Sequence, residues 1–429
     1  MTASVRKEFS GADCLQRVKE ERLRIRAMIA LPILRRVEPD KLILAVTLGL
    51  SLGYAGLFGV TFMSHIWILD PHGHPVVTDF AAFWTAGRQA LNGTAAAAYD
   101  FHREHAAEIA TIGHPFARTL GWSYPPAFLF VAAMLASLPY TAAFLIWVTT
   151  TLAAYASVTA AIAGRSLAFL AACAAPWALM ALIPGQNGFL TAALVGAALL
   201  FLEKRPALAG IFLGLLSYKP QFGILFPLVL AFAGYWRTFA WASASALFLN
   251  VLAGSVFGFE TWAAFFHALS GTAQSHLVLS GIGWNKLQSV YGLLRSVGAS
   301  SNIAWVAQAL FSASTAAALV AYWRGNAPFA LKAAALACAI PLVTPYVFVY
   351  DLPVLAIACA FLFKHRSFDR AEFWLLAATA PCVFAFLWVP IPSALFASLA
   401  LAAVVVKRAL SEGIAVPQFF RTMPQYFPR

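Results

Sequence analysis

Apolar runs of membrane-spanning length recur from one end of this chain to the other, and no other feature restricts its folding as strongly. A bilayer core calls for roughly 17–25 apolar residues in one helix. Such runs, several of them short or ending in proline, lie at 42–64, 140–163, 166–184, 188–203, 206–218, 221–236, 238–258, 302–323, 328–345, 349–363, 371–389 and 392–406. With 61% of 429 residues hydrophobic, 11% charged and a mean hydropathy of +0.77, a water-soluble domain could not be solvated. The chain is therefore predicted to be an all-α integral membrane protein, a polytopic helical bundle. Cys14, Cys173, Cys338, Cys359 and Cys382 are scattered, four of them inside apolar runs, and read as packing residues rather than metal ligands or disulfide partners.

Charge sets the expected topology. Residues 1–41 hold ten basic side chains interspersed with Leu15, Val18, Leu23, Ile25 and Ile29. This is the pattern of a basic cytoplasmic segment, in part an amphipathic helix on anionic lipid, and it lacks the apolar core and small-residue cleavage site of a removable signal. Nucleic-acid binding is not needed to explain a net charge of +12. The run 123–138 decides the rest. If it stays on the outer side, only Arg88, Arg103, Arg118, Lys219, Lys286 and Arg295 of the 29 basic residues face outward. If it crosses, that bias collapses. The expectation is thus about twelve spans within 42–409, both termini cytoplasmic, and a C-terminal tail at 410–429. A first outer loop at 65–139 carries juxtamembrane helices, and a second large outer loop lies at 259–301.

This topology places every unusual polar cluster on one face. Asp79 opens a helical pattern through Phe80, Phe83, Trp84, Ala90 and Leu91, with Arg88 on its polar side and Asn92-Gly93 as its stop. Tyr99-Asp100, Tyr124-Pro125-Pro126, Gly185-Gln186-Asn187-Gly188, Tyr218-Lys219-Pro220-Gln221 and Thr344-Pro345-Tyr346 through Tyr350-Asp351 join it. Each has a plain structural alternative: Asp79 as a helix cap, Gln186-Asn187 as a tight turn, Lys219 as a snorkelling cation, Asp351 as a cap or as the partner of Lys219, and His276 and Lys286 as decoration of a solvated loop. A cation beside a helix-breaking proline in an apolar region favours function for Lys219.

One well-placed carboxylate, several cations, many aromatic rings and a lipid-exposed location suit transfer of a sugar from a lipid phosphate. The carboxylate takes a proton from the attacking hydroxyl and the cations stabilise the departing phosphate. No Walker loop, dinucleotide fingerprint or zinc motif is present. A lipid or solute transporter or flippase has a similar span count, but its polar groups sit mid-membrane within an internal repeat, and no such repeat is legible here. A lipid-binding scaffold is the third reading.

The succession Asp79-Phe80, Phe83-Trp84, Ala86-Gly87, Tyr99-Asp100, Tyr124-Pro125-Pro126, Leu138-Pro139-Tyr140, Gly185-Gln186-Asn187-Gly188, Ala209-Gly210, Tyr218-Lys219-Pro220-Gln221, Pro345-Tyr346 and Tyr350-Asp351 resembles glycosyltransferase family 87, over about 79–355. The resemblance implies a GT-C-like bundle using a polyprenyl-phosphate sugar, mannose in the family's name-giving members, as donor. It implies a lipid or glycan acceptor and a site on the periplasmic or outer face of a bacterial inner membrane. It also implies inversion at the sugar carbon with Asp79 as general base. Lys219, Arg88, His276 and Lys286 are the expected donor-phosphate contacts. Trp84, Tyr124, Gln186, Asn187, Gln221, Tyr346, Tyr350 and Asp351 are the expected substrate contacts. With one acidic residue at the key motif, no metal and no cofactor beyond the donor are expected.

Overall fold

A computed structural model describes residues 39–117, 120–274 and 283–413. Helices dominate throughout, and the sole β-pairing among the described residues is a pair of isolated bridges at Trp67, Leu69 and Pro75. In chain order the helices that matter are α1 (Pro39–Met63), α2 (Asp79–Leu91), α3 (Phe101–Ile112), α4 (Leu129–Ala136), α5 (Tyr140–Ala163), α6 (Leu167–Ala174), α7 (Pro176–Leu182), α8 (Gly188–Phe201) and α9 (Pro206–Leu215). They continue with α10 (Pro220–Gly223), α11 (Leu225–Phe232), α12 (Trp236–Phe257), α13 (Phe259–Gln274), α14 (Val290–Ser296), α15 (Ser301–Arg324), α16 (Phe329–Val343), α17 (Val354–His365), α18 (Arg370–Ala385) and α19 (Leu395–Ser411).

Among the described residues, four helical stretches are both long and apolar enough to cross a bilayer: Ile43–Met63, Tyr140–Ala163, Trp236–Phe257 and Ser301–Arg324. The other apolar runs are cut shorter than the sequence reading expects, and proline is a recurrent cause. The run 166–184 divides where Ala175 is held extended before Pro176, because a residue ahead of proline is pushed out of the α region. The run 221–236 is divided into α10 and α11, with Lys219 and Pro220 at its head. The run 123–138 becomes a short 3-10 turn, Pro126–Phe128, followed by α4. At 1.5 Å per residue these eleven residues extend about 16 Å, half of a bilayer core.

α4 lies directly against α2. Gly87 permits this, since a Cβ there would come within 2.0 Å of the Ala132 carbonyl oxygen. The buried core runs through α5, which turns Tyr140, Phe144, Trp147 and Tyr155 inward, and through α8, α16 and α17, whose inward faces are largely aliphatic. α1 is peripheral, with 6% of its apolar window buried, and packs on α6. Gly210 and Gly214 bring α9 onto α12, where a Cβ would meet Trp241 and Ser245 side-chain atoms at 2.4 and 1.9 Å. At the far end of the bundle Arg408 of α19 is fully buried. It pairs with Glu372 of α18 at 2.6 Å and donates to the Leu362 carbonyl of α17 at 2.5 Å and to the carbonyl of Arg366, just past that helix, at 3.1 Å. The C-terminal three helices are thus tied by a charge that lies just beyond the last apolar run, 392–406. Cys173, Cys338, Cys359 and Cys382 are unbridged.

Candidate active site

The site is built on the loop between α7 and α8. Gly185 adopts φ = +67°, a left-handed conformation that glycine takes without strain, and a Cβ there would strike the Phe144 and Phe80 side chains at 2.7 and 2.9 Å. The loop's carbonyls are clamped from three directions: Trp67 Nε1 donates to Ile183 (3.1 Å), the Phe80 amide to Pro184 (3.0 Å) and Trp147 Nε1 to Gly185 (2.9 Å). Gln186 and Asn187 are thereby held buried at the mouth of α8. The loop is both a tight turn and a presenter of two side-chain amides.

Those amides link two charged groups. Gln186 Nε2 donates to Asp79 Oδ2 at 2.9 Å, while Gln186 Oε1 accepts from the Tyr124 hydroxyl and from the Asn187 amide, each at 3.2 Å. Asn187 stands at the N-cap of α8, yet its side chain makes no capping bond; its Oδ1 accepts from Lys219 Nζ at 2.8 Å. Lys219 also pairs with Asp351 Oδ1, and Asp351 Oδ2 accepts from the Phe348 amide at 3.0 Å. Asp79 is half-buried at the first position of α2, one residue after the extended Thr78 that stands at the cap. Its carboxylate therefore sits in the favourable field of a helix N-terminus.

Lys219 retains 4% exposure and Asp351 1%. Burial of this kind requires mutual compensation, because an isolated buried ion is strongly disfavoured. The ammonium lies 4.9 Å from the Phe222 ring centre and 6.0 Å from that of Tyr350. Backbone contact brings these segments together: Gly188 sits so close to the Tyr350 carbonyl that a Cβ would approach it to 1.8 Å. Burial pushes the Tyr124 hydroxyl well above its usual range, and the negative charges of Asp351 and Asp79 reinforce the shift. Tyr124 is accordingly a neutral donor at physiological pH.

Asp79, Tyr124, Gln186, Asn187, Lys219, Tyr350 and Asp351, from five separate segments, thus form one cluster. The other expected residues stand apart from it. Trp84 donates to the Leu138 carbonyl at 3.1 Å and meets Tyr140 edge-on, joining α2 to the head of α5. Arg88 is exposed in the last turn of α2, 5.5 Å over the Trp84 ring. Gln221 is half-buried in α10. Tyr346 packs edge-on against Trp305 in a second cluster around Leu287, Tyr291 and Ala304. Lys286 is exposed in the adjoining one-turn helix Trp284–Lys286. His276 lies outside the described residues. The second cluster adjoins the first, since the Gln288 amide donates to Val347 and Ser289 Oγ to Pro345, and Phe348 stacks on Tyr350.

Thr191, Glu104 and Glu108 were not singled out from the sequence. The Tyr218 hydroxyl and Thr191 Oγ1 are 2.6 Å apart, and Tyr218 stacks on Phe128; their positions beside Lys219 and one turn after Asn187 were the available signal. Glu104 and Glu108 of α3 are buried. Glu108 accepts from the Leu120 and Gly121 amides, fixing the approach to Tyr124, and Glu104 accepts from Gln89. Burial raises the Glu104 carboxyl well above the usual range, with the neighbouring Glu108 adding to the effect. Asp100 caps α3 by accepting from the His102 and Arg103 amides. Among the described residues no group of three His, Cys, Asp or Glu side chains has a metal-holding arrangement.

An all-α membrane protein with a half-buried carboxylate wired through two amides to a buried lysine is the class that fold and site define. The profile of glycosyltransferase family 87 matches residues 122–345, and the chain belongs to that family. Neither a curated protein nor a solved structure matches it.

Proposed function

We propose that the protein transfers a hexose, mannose by its family resemblance, from a polyprenyl phosphate to a lipid or glycan acceptor at the outer face of the bacterial inner membrane. The carrying observation is the placement of the Asp79 carboxylate and the Lys219 ammonium in one hydrogen-bonded array, a base and a phosphate-neutralising cation. Asp79 takes the acceptor's hydroxyl proton, the acceptor oxygen attacks the anomeric carbon, and the bond from that carbon to the phosphate oxygen breaks on the opposite face, inverting the centre. The bonding pair leaves with the phosphate. An ammonium has three donors; Asn187 and Asp351 engage two of those of Lys219, so the third is assigned to the donor phosphate. Arg88, Lys286 and His276 are secondary candidates for that contact. The reading includes a GT-C-like bundle of about twelve spans in which several crossings are made by short or proline-broken helices.

Asp79→Asn tests the assignment, because it preserves shape and hydrogen bonding to Gln186 while removing the proton acceptor. Transfer from undecaprenyl-phosphate mannose to a membrane lipid extract is expected to fall by about 10²–10⁴ with donor binding unchanged. Near-wild-type transfer would place the base elsewhere, with Asp351 next to be examined.

A further inference from the structure

Gln186 occupies a position that its proximity to substrate does not require. Its side-chain oxygen accepts from the Asn187 backbone amide, which can only donate, and from the Tyr124 hydroxyl, each at 3.2 Å. The orientation of the terminal amide is therefore fixed by its surroundings and not by convention. Its nitrogen is obliged to face Asp79 Oδ2, at 2.9 Å. The loop carrying it is in turn clamped by Trp67, Phe80 and Trp147 through successive carbonyls. A flip of the Gln186 amide would set its nitrogen against the Asn187 backbone donor and its oxygen against the Asp79 carboxylate.

We infer that Gln186 is the positioning residue of the reaction: a locked amide that holds the Asp79 carboxylate ionised and oriented toward the acceptor hydroxyl. This rests on the reading of Asp79 as base. A hydrogen bond donated to a carboxylate favours its charged form, and a carboxylate offers about four lone-pair sites, of which the bond to Gln186 occupies one. The groups facing Asp79 act in the same frame. The hydroxyls of Tyr124 and Tyr350 couple to its charge. The Lys219–Asp351 pair lies behind Asn187. Arg88, on the same helix, is nine residues on and turned onto Trp84. Of these, Gln186 is the side chain whose donor is aimed at the carboxylate by a closed set of partners.

The test uses the full-length protein in lipid nanodiscs. Difference infrared spectra recorded across a pH titration give the Asp79 midpoint without substrate, the band being identified by its loss when Asp79→Asn is added to each variant. Gln186→Glu keeps the size of the side chain and an acceptor for Tyr124 and Asn187, but sets a second carboxyl against Asp79. The midpoint is expected to rise by about one pH unit or more. The acidic limb of the transfer rate from undecaprenyl-phosphate mannose moves with it, and the KM for that donor does not change. Gln186→Met in a Tyr124→Phe background, which removes the Gln186 donor together with the hydroxyl that anchors it, is expected to shift the midpoint in the same direction. A midpoint that stays at the wild-type value in either folded variant overturns the proposal. Failure of the base assignment has a separate signature: Asp79→Asn would retain transfer whether or not residue 186 moves the midpoint.

Discussion

Lys219 shows how a single buried charge is maintained and what its removal does. The ammonium is enclosed by Asn187, Asp351, Phe222 and Tyr350, so Lys219→Met does more than delete a cation: it leaves Asp351 buried with only the Phe348 amide among its described partners here. Breaking one side of such a pair costs about 3–5 kcal/mol, whereas replacing both partners is often neutral. Thermal melts in detergent are therefore expected to show Lys219→Met destabilised and Lys219→Met/Asp351→Asn largely recovered. Binding of undecaprenyl-phosphate mannose, measured on the same samples, is expected to be lost in both. Recovery of donor binding in the double variant would make Lys219 a structural partner of Asp351 and nothing more. The sequence shows a lysine beside a proline in an apolar region; it does not show that the compensating carboxylate comes from 132 residues away.

At the scale of elements, close backbone approach assembles the site. α8 begins at Gly188, and the absence of a side chain lets its first turn rest on the Tyr350 carbonyl, where a Cβ would stand at 1.8 Å. Since α8 carries Asn187 at its cap and the 349–351 turn carries Asp351, this one contact sets the span that Lys219 bridges. Gly188→Ala forces the two apart and is expected to cost about 1–3 kcal/mol in a thermal melt, with transfer reduced by more than the loss of folded protein explains. An alanine variant that melts and transfers like the wild type would show that the α8 contact is not what spaces the array. The pattern Gly-Gln-Asn-Gly announces a turn. That Asn187 gives up capping to hold Lys219 is a consequence of what the turn faces.

For the whole molecule the open question of topology turns on α4 and α5. α4 with its preceding turn is short and is packed against α2, whereas Tyr140–Ala163 is long enough to span. A reporter fused after Pro139 is expected to read as outer and one after Arg165 as cytoplasmic; the reverse at either junction would overturn the proposed arrangement. Composition and hydropathy by themselves determined the membrane class, the helical backbone and the residues worth examining, because a chain this apolar must satisfy its backbone internally and because polar residues in such a chain are few. Family motifs in order added the chemistry. Tertiary structure alone decided which polar residues meet. It brought Asp79, Tyr124, Gln186, Asn187, Lys219, Tyr350 and Asp351 together, turned Trp84 and Arg88 to each other, and set Arg408, beyond the last apolar run, into a buried pair with Glu372. Hydropathy reports how well a segment tolerates lipid. Hydrogen-bond partners are fixed by loop conformation and helix approach over long sequence separations, and by glycines whose missing Cβ matters through what lies opposite.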